Sequence, residues 1–225
     1  DDISLIQQLR EEDIDVISEI EFAGRYSKAK FIGITGTNGK TTTASLTYHI
    51  LKSAGINVGL AGNIGKSLAR LIAEEKEFDW VVLEVSSFQL DGMYDFKCDI
   101  SILLNITEDH LDRYDNSMLK YAKSKIRIAQ NQTDEDWFIY NQDDAQTAHV
   151  LDLIESKGKR IPISIENKIE GEGAFKDFNQ LNINLNNNPF TMTIQQLALQ
   201  GKHNLHNSMA SGIAARILEV RKEVI

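Results

Sequence analysis

A β-branched apolar run, Phe31 to Thr35, leads into Gly36, Thr37, Asn38, Gly39, Lys40, Thr41 and Thr42. Strand, glycine turn, Lys-Thr and helix is an order in which a polypeptide grips a polyphosphate. Backbone N–H groups freed by the glycines and by the helix start point at the anion, and the helix dipole favours negative charge there. Lys40 sets a point charge against the outer phosphates, and the Thr41 hydroxyl is placed to ligate magnesium. The loop is short by one glycine, because Ile34 stands six residues before the lysine. A plain strand-to-helix turn would leave a cation at the positive end of a helix with no anion beside it, which is unfavourable.

The remaining residues with chemical capacity follow other apolar runs. Glu84 ends the strand-like stretch Asp79–Val85, where an ionised carboxylate is costly unless paired or bound to metal. Magnesium is favoured over a lysine partner, since an acid on a neighbouring strand end commonly helps hold it beside a phosphate loop. Asn63 lies between Gly62 and Gly65 and reads as a turn residue tolerating left-handed backbone. The segment Asn105–Tyr114, NITEDHLDRY, surrounds His110 with acids. That pattern suits a metal ligand, a proton carrier or a solvated loop alike. Lys125 is the least expected residue. At about 100° per residue, Met118, Leu119, Ala122, Ile126 and Ala129 form an apolar stripe, with Lys120, Lys123 and Arg127 opposite. Lys125 borders the stripe, either snorkelling along it or aimed into a site. Asn204 and Asn207, three apart, share a helix face and either cap that helix or read a base edge. His203 and His206 have no cysteine or acid close in sequence, so no metal is assigned to them.

These residues need a scaffold, and the hydrophobic pattern supplies one. Strands are expected at Phe31–Thr35, Asn57–Ala61, Asp79–Val85, Asp99–Ile106 and Trp137–Asn141. Between them lie helices at Thr41–Ser53, Gly65–Ala73, Met118–Gln130 and Asp144–Glu155. Alternation of this kind gives an α/β fold, a mostly parallel sheet with helices on both faces. Short strands at Arg160–Ile165, Leu181–Leu185 and Phe190–Ile194, the last two joined by Asn-Asn-Asn-Pro, predict a small antiparallel β appendage. A final helix is expected over His203–Val220. Ahead of the first strand, a helix around Leu5, Ile6 and Leu9, a strand at Asp15–Ser18 and a helix at Glu19–Tyr26 are too little for a domain. Residues 1–28 are therefore expected to be the remnant of an upstream domain and its linker, with a self-contained N-terminal arm as the alternative, and 29–225 a central nucleotide-binding domain.

With 225 residues, 42% of them hydrophobic and only 2 prolines, the chain can bury a full core. No apolar run is long enough to span a bilayer, and no signal-peptide pattern opens the chain. A net charge of −9 argues against nucleic-acid or anionic-membrane partners, so a phosphate must be held by local geometry and metal. The single cysteine, Cys98, rules out an internal disulfide and fits a cytoplasmic location. The chain starts without methionine and stops in a helical pattern, which leads to the expectation of a segment cut from a longer protein.

Taken together, the segments resemble the ATP-dependent Mur ligase family, which joins amino acids to peptidoglycan precursors. The short loop Gly36–Thr42 and the late His-Asn-x-x-Asn at His203–Asn207 are family-wide marks. Leu83–Leu90 (LEVSSFQL) and Asn105–Tyr114 look like the branch that adds D-glutamate to UDP-N-acetylmuramoyl-L-alanine. The resemblance implies ATP as co-substrate and an acyl phosphate on the acceptor carboxylate, which the amine of D-glutamate attacks. It implies two Mg2+ sites, the first on Thr41 and Glu84, the second on His110 and a carbamylated Lys125. Asn63, Ser86 and Ser87 are expected to face the UDP-sugar, and Asn204 and Asn207 to meet adenine. Family members have three domains, so the N- and C-terminal domains are expected to be missing partners and this chain alone to be inactive. The alternatives are another Mur-type or folylpolyglutamate-type ligase, or a nucleotide-binding module that performs no ligation.

Overall fold

The computed structural model describes residues 3–74, 76–197 and 201–225. Two helices, α1 (Ile3–Glu11) and α2 (Glu19–Gly24), precede the first strand, β1 (Lys30–Thr35). The chain then alternates: α3 (Lys40–Ser53), β2 (Val58–Gly62), α4 (Leu68–Ala73), β3 (Trp80–Glu84), α5 (Ser87–Asp91), β4 (Ile100–Leu103), α6 (Met118–Ile126), β5 (Trp137–Asn141) and α7 (Ala145–Val150). It ends with β6 (Lys159–Ser164), β7 (Gly173–Asp177), β8 (Gln180–Asn184), β9 (Phe190–Thr193) and α8 (Lys202–Ile217).

All nine strands form one sheet in the order β2-β3-β1-β4-β5-β6-β7-β8-β9. Pairing is parallel as far as β7, and β7–β8–β9 are antiparallel. The strands read as near-continuous apolar runs because helices cover both faces. Alternate residues serve the two layers. Phe31, Val81, Leu83, Leu103 and Phe138 pack with α2, α4, α5, α6 and α7. Ile32, Ile34, Val82, Ile102 and Ile139 pack with α3 and α8 on the other face. Each fully buried Ile or Leu contributes about 1.5–3 kcal/mol. β1 lies between β3 and β4, so its carboxyl end sits where the chain order reverses, the usual place for a ligand in such sheets. Among the described residues no helix is long and apolar enough to cross a membrane.

Several sequence expectations need adjusting. Asp15–Ser18 forms no strand. Its last residue is instead tied by the Ser18 N–H to the Gly92 carbonyl at 2.7 Å, and the Ser18 hydroxyl caps α2. Ile20 and Ala23 of α2 are buried in the core, so α2 packs against the sheet. Arg160–Ile165, grouped with the antiparallel strands, is the parallel strand β6. The antiparallel part continues the main sheet and begins at β7, which carries only a short buried stretch (Gly173, Ala174) and no strand-like alternation. The helices expected over Met118–Gln130 and Asp144–Glu155 each tighten into a 3₁₀ turn near their ends.

Candidate nucleotide and metal site

Gly39 takes φ 87° as the residue before α3, a left-handed conformation that favours glycine. A Cβ there would lie 2.6 Å from Asn207 Oδ1, so a larger residue would displace the Asn207 amide on α8. The loop is held from the β4 side. The Thr37 N–H donates to the Asn105 carbonyl (2.8 Å), and the Asn38 N–H to Asn105 Oδ1 (2.8 Å). Asn105 Nδ2 returns a bond to the Asn38 carbonyl (2.9 Å). The Thr37 hydroxyl donates to the Thr107 carbonyl, and the Thr107 N–H donates back to it. Asn105 therefore clamps the phosphate loop. Sequence reading assigned it no role, because its partners lie 67 residues away.

The Lys40 amine folds back onto the loop, donating to the Gly36 and Thr37 carbonyls at 3.0 and 2.8 Å. Burial lowers its pKa, against the opposing pull of Glu84 and Asp109. One helical position on, the Thr41 hydroxyl donates to Glu84 Oε2 at 2.7 Å. Asn63 Nδ2 donates to Glu84 Oε1 at 3.2 Å. Glu84 is 3% exposed and is bonded by the neutral donors Thr41 and Asn63, so among the described residues no side-chain cation is bonded to this buried carboxylate facing the loop. Asn63 does not take the left-handed backbone expected of it; Gly62 and Gly65 do. Its side chain orients the acid.

Lys125 reaches the same place from α6. It is 2% exposed and donates to the Gly36 carbonyl at 2.8 Å, with its amine 4.6 Å from the centroid of the Tyr121 ring. Burial, reinforced by Lys40, pushes its pKa down to about 7, while Asp109 and Asp91 act the other way. The side chain does not snorkel to solvent: it is buried with its amine against the loop carbonyl.

Other expected residues stand further out. His110 is exposed, in left-handed backbone, its ring 5.2 Å from Phe88 and its Nε2 3.5 Å from Asp109 Oδ2. Among the described residues no group of three or more His, Cys, Asp or Glu side chains is placed to hold a metal. Asp109 links the two regions, since it lies beside His110 and its charge is felt by both Lys40 and Lys125. Ser86 caps α5, its hydroxyl accepting the Gln89 N–H while Gln89 reaches back to the Ser86 N–H. Ser87 is buried, and its carbonyl accepts the Ser124 hydroxyl at 3.0 Å.

Beside the loop opens a cleft of about 670 Å³, lined by Asn38, Gly39 and Thr42 on one side and Asn204, His206 and Asn207 of α8 on another. Asn207 Nδ2 donates to Asn204 Oδ1 at 3.1 Å, which turns the two amides toward each other as their spacing predicted. His203, three residues before His206, lies where side chains are outside the described residues. The floor comes from the β5 end, where Asn141, Asp143 and Asp144 line the cleft. Asp144 accepts the Ile106 N–H at 3.2 Å and caps α7 through Thr147.

A family model described as the Mur ligase middle domain matches residues 34–215. The chain is 50% identical over 225 residues to the UDP-N-acetylmuramoylalanine–D-glutamate ligase of Christiangramia forsetii, covering 100% of this chain and 50% of that protein. It is 54% identical over 226 residues to the protein of the same name from Bacteroides fragilis, again covering 50% of it. The chain thus spans about half the length of the curated relatives it matches. Among solved structures, UDP-N-acetylmuramoyl-L-alanyl-D-glutamate–2,6-diaminopimelate ligase superposes with a TM-score of 0.69 at 20% identity, over 97% of this chain and 47% of that one. MurF from Acinetobacter baumannii gives 0.66 at 21% identity, over 90% and 46%.

Proposed function

The chain belongs to the Mur ligase family as its middle domain, and from that premise we propose that it is the ATP-binding centre of the ligase that adds D-glutamate to UDP-N-acetylmuramoyl-L-alanine. The observation that carries this reading is the convergence of Lys40 and Lys125 on the Gly36 carbonyl of a phosphate loop. A simple nucleotide-binding switch has no use for a second buried lysine there. Phosphoryl transfer calls for positioning and charge neutralisation, and the loop offers both. In this reading Lys40 leaves the loop carbonyls for the outer phosphates, and an acceptor carboxylate oxygen attacks the γ-phosphorus, so that the bond to the β,γ-bridging oxygen breaks, ADP leaves and an acyl phosphate is formed. The amine of D-glutamate then attacks the acyl carbon and phosphate departs.

The donor set suits a first Mg2+. Thr41 and Glu84 present hard oxygens at 2.7 Å from each other, and among the described residues the buried carboxylate has no directly bonded cation. Bound there, Mg2+ would neutralise charge developing on the transferred phosphoryl group. For a second Mg2+, His110 is one donor in the proposal, and Lys125 is acceptable only as its carbamate. A lysine pushed down to about 7 holds much of its amine neutral at physiological pH. The nitrogen lone pair adds to the carbon of CO2, one C=O electron pair moves to oxygen, and the nitrogen proton passes to water. The product is an anionic oxygen ligand. Asn63, Ser86 and Ser87 are assigned to the UDP-sugar side, with Asn63 acting first on Glu84.

The remaining substrate contacts are assigned to N- and C-terminal domains of the longer cytoplasmic protein, with the segment ahead of α2 leading toward the former and α2 itself packed in this core. The test is an assay of the full-length parent with UDP-N-acetylmuramoyl-L-alanine and a panel of amino acids. ADP release dependent on D-glutamate alone is expected, with none from the 225-residue chain by itself. Equal use of another amino acid would overturn the substrate assignment, and robust turnover by the isolated chain would overturn the division of labour.

A further inference from the structure

His206 stands on α8 between Asn204 and Asn207, and all three line the cleft next to Asn38 and Gly39. Its Nε2 lies 3.1 Å from Asp143 Oδ2. The same carboxylate accepts the Ser164 hydroxyl at 2.5 Å and the Ile165 N–H at 2.7 Å. Three elements therefore meet at Asp143: the end of β5, the loop after β6, and α8. Burial pushes the Asp143 carboxyl up, but the bonds from Ser164, Ile165 and His206 outweigh it and leave the group below its ordinary range. It is ionised at neutral pH and can only accept. The proton of the shared bond must then sit on Nε2, and in a neutral imidazole that leaves Nδ1 as a bare acceptor. Among the described residues the bond to Asp143 is the one hydrogen bond this ring makes.

We infer that Asp143 and His206 form the base-reading element of the cleft. The tautomer set by Asp143 presents Nδ1 to the exocyclic amino group of adenine and opposes the carbonyl oxygen that guanine carries at the same position. His206 is the specificity residue, and Asp143 is a positioning residue that acts through it. This inference rests on the ATP-binding function proposed above and takes the cleft beside the loop as the place of the base. A site built to hydrogen-bond one group discriminates against an analogue that leaves its polar atom unmatched.

Two measurements on the 225-residue chain test it. Imidazole 15N shifts of the wild-type chain, read under conditions where the ring is neutral, are expected to show His206 in the Nε2–H form, and Asp143→Asn to give a tautomer mixture. Titrations with Mg2+ and ATP, GTP or inorganic tripolyphosphate are expected to show a preference for ATP over GTP. His206→Leu should lower that ratio about tenfold and leave tripolyphosphate binding unchanged. An Nδ1–H tautomer in the wild type overturns the inference without needing any variant to fold. So does an ATP/GTP ratio untouched by His206→Leu. Tripolyphosphate binding with no gain from a base would instead overturn the assignment of the cleft, and absence of all three would overturn the phosphate-loop reading itself.

Discussion

Lys40 and Lys125 donate to one oxygen, the Gly36 carbonyl, at 3.0 and 2.8 Å. One amine arrives from the start of α3 and the other from α6, and each is depleted of water by burial. Two full positive charges in that space repel, and the more buried lysine yields first. In the proposed function an incoming polyphosphate would remove the conflict by drawing Lys40 away, and a carbamate on Lys125 would remove it by reversing a sign.

Stability should reveal this directly. The Lys125 pKa falls from 10.5 to about 7 on folding. Below pH 7 both folded and unfolded chains hold the proton, and the cost of burying the charge is fully present. As pH rises from 7 toward 10.5 the unfolded chain binds more protons, so this group's contribution to stability rises. Lys125→Met is expected to be more stable than the parent at pH 6 by roughly 2–4 kcal/mol, with much of the gain gone at pH 9. Urea melts in CO2-free buffer at the two pH values check it; an equal gain at both would mean that the amine carries no buried charge.

Carbamylation gives a second readout at the same residue. Native mass spectrometry of the chain equilibrated with bicarbonate at pH 8 should show one added CO2, absent from Lys125→Met. The expected adduct diminishes below pH 6.5, where the amine is protonated. An adduct that survives the substitution would place the modification elsewhere.

Glu84→Gln keeps the shape of the carboxylate and an acceptor for the Thr41 hydroxyl. Folding should change by less than about 1 kcal/mol, whereas the gain in ATP affinity produced by Mg2+ should fall by tenfold or more. Titration with and without Mg2+ separates the two effects. Unaltered magnesium dependence would remove Glu84 from the metal site.

Gly62→Ala tests how tightly β2 is fitted to that acid. Gly62 has φ 101°, and a Cβ on it would lie 2.2 Å from the Glu84 carbonyl oxygen. Backbone must move, at a cost of roughly 1–3 kcal/mol, and Glu84 moves with it. Lower thermal stability together with weaker Mg2+-dependent binding is expected; a stability loss with normal magnesium dependence would uncouple the turn from the site.

Tyr114→Phe probes the floor beneath α5 and α6. The phenol donates to Asp91 Oδ2 at 2.9 Å and lies 3.3 Å from Ser124 Oγ, and burial raises its pKa to about 12. Removing the hydroxyl should cost about 1–2 kcal/mol, measured by chemical denaturation at pH 7. A neutral result would show that Asp91 and Ser124 re-pair without it.

The parts of the fold that sequence made legible are those with local causes. β1, β3 and β4 are runs of Ile, Val and Leu covered on both faces, and the Gly36–Thr42 loop announces itself by residue type and order. Lys125 stood out because it broke the pattern of its own helix. What stayed hidden depends on distant partners. β7 buries only Gly173 and Ala174, so its apolar signal is too short to read. Asn105 looked like one polar residue among many until the fold set it against Asn38. His206 was dismissed for lack of an acid nearby in sequence, yet its acid lies 63 residues away. The capping pair Ser86 and Gln89 was visible as Ser-x-x-Gln and would have announced α5.

The packing of α8 on α3 has a consequence for how the molecule comes into being. Thr47 on α3 bonds the Ser211 hydroxyl, 164 residues later, and Gly39 meets Asn207 across the cleft. The phosphate loop leaves the ribosome well before its backing helix, α8. Closure over so long a separation is entropically slow and high in contact order. A nascent chain halted before Lys202 would carry the whole loop sequence while the apolar side of α3 stayed open to chaperones. The candidate nucleotide cleft is thus completed only once α8 has been made and packed on α3, so ligand binding there would mark finished folding of this part of the chain.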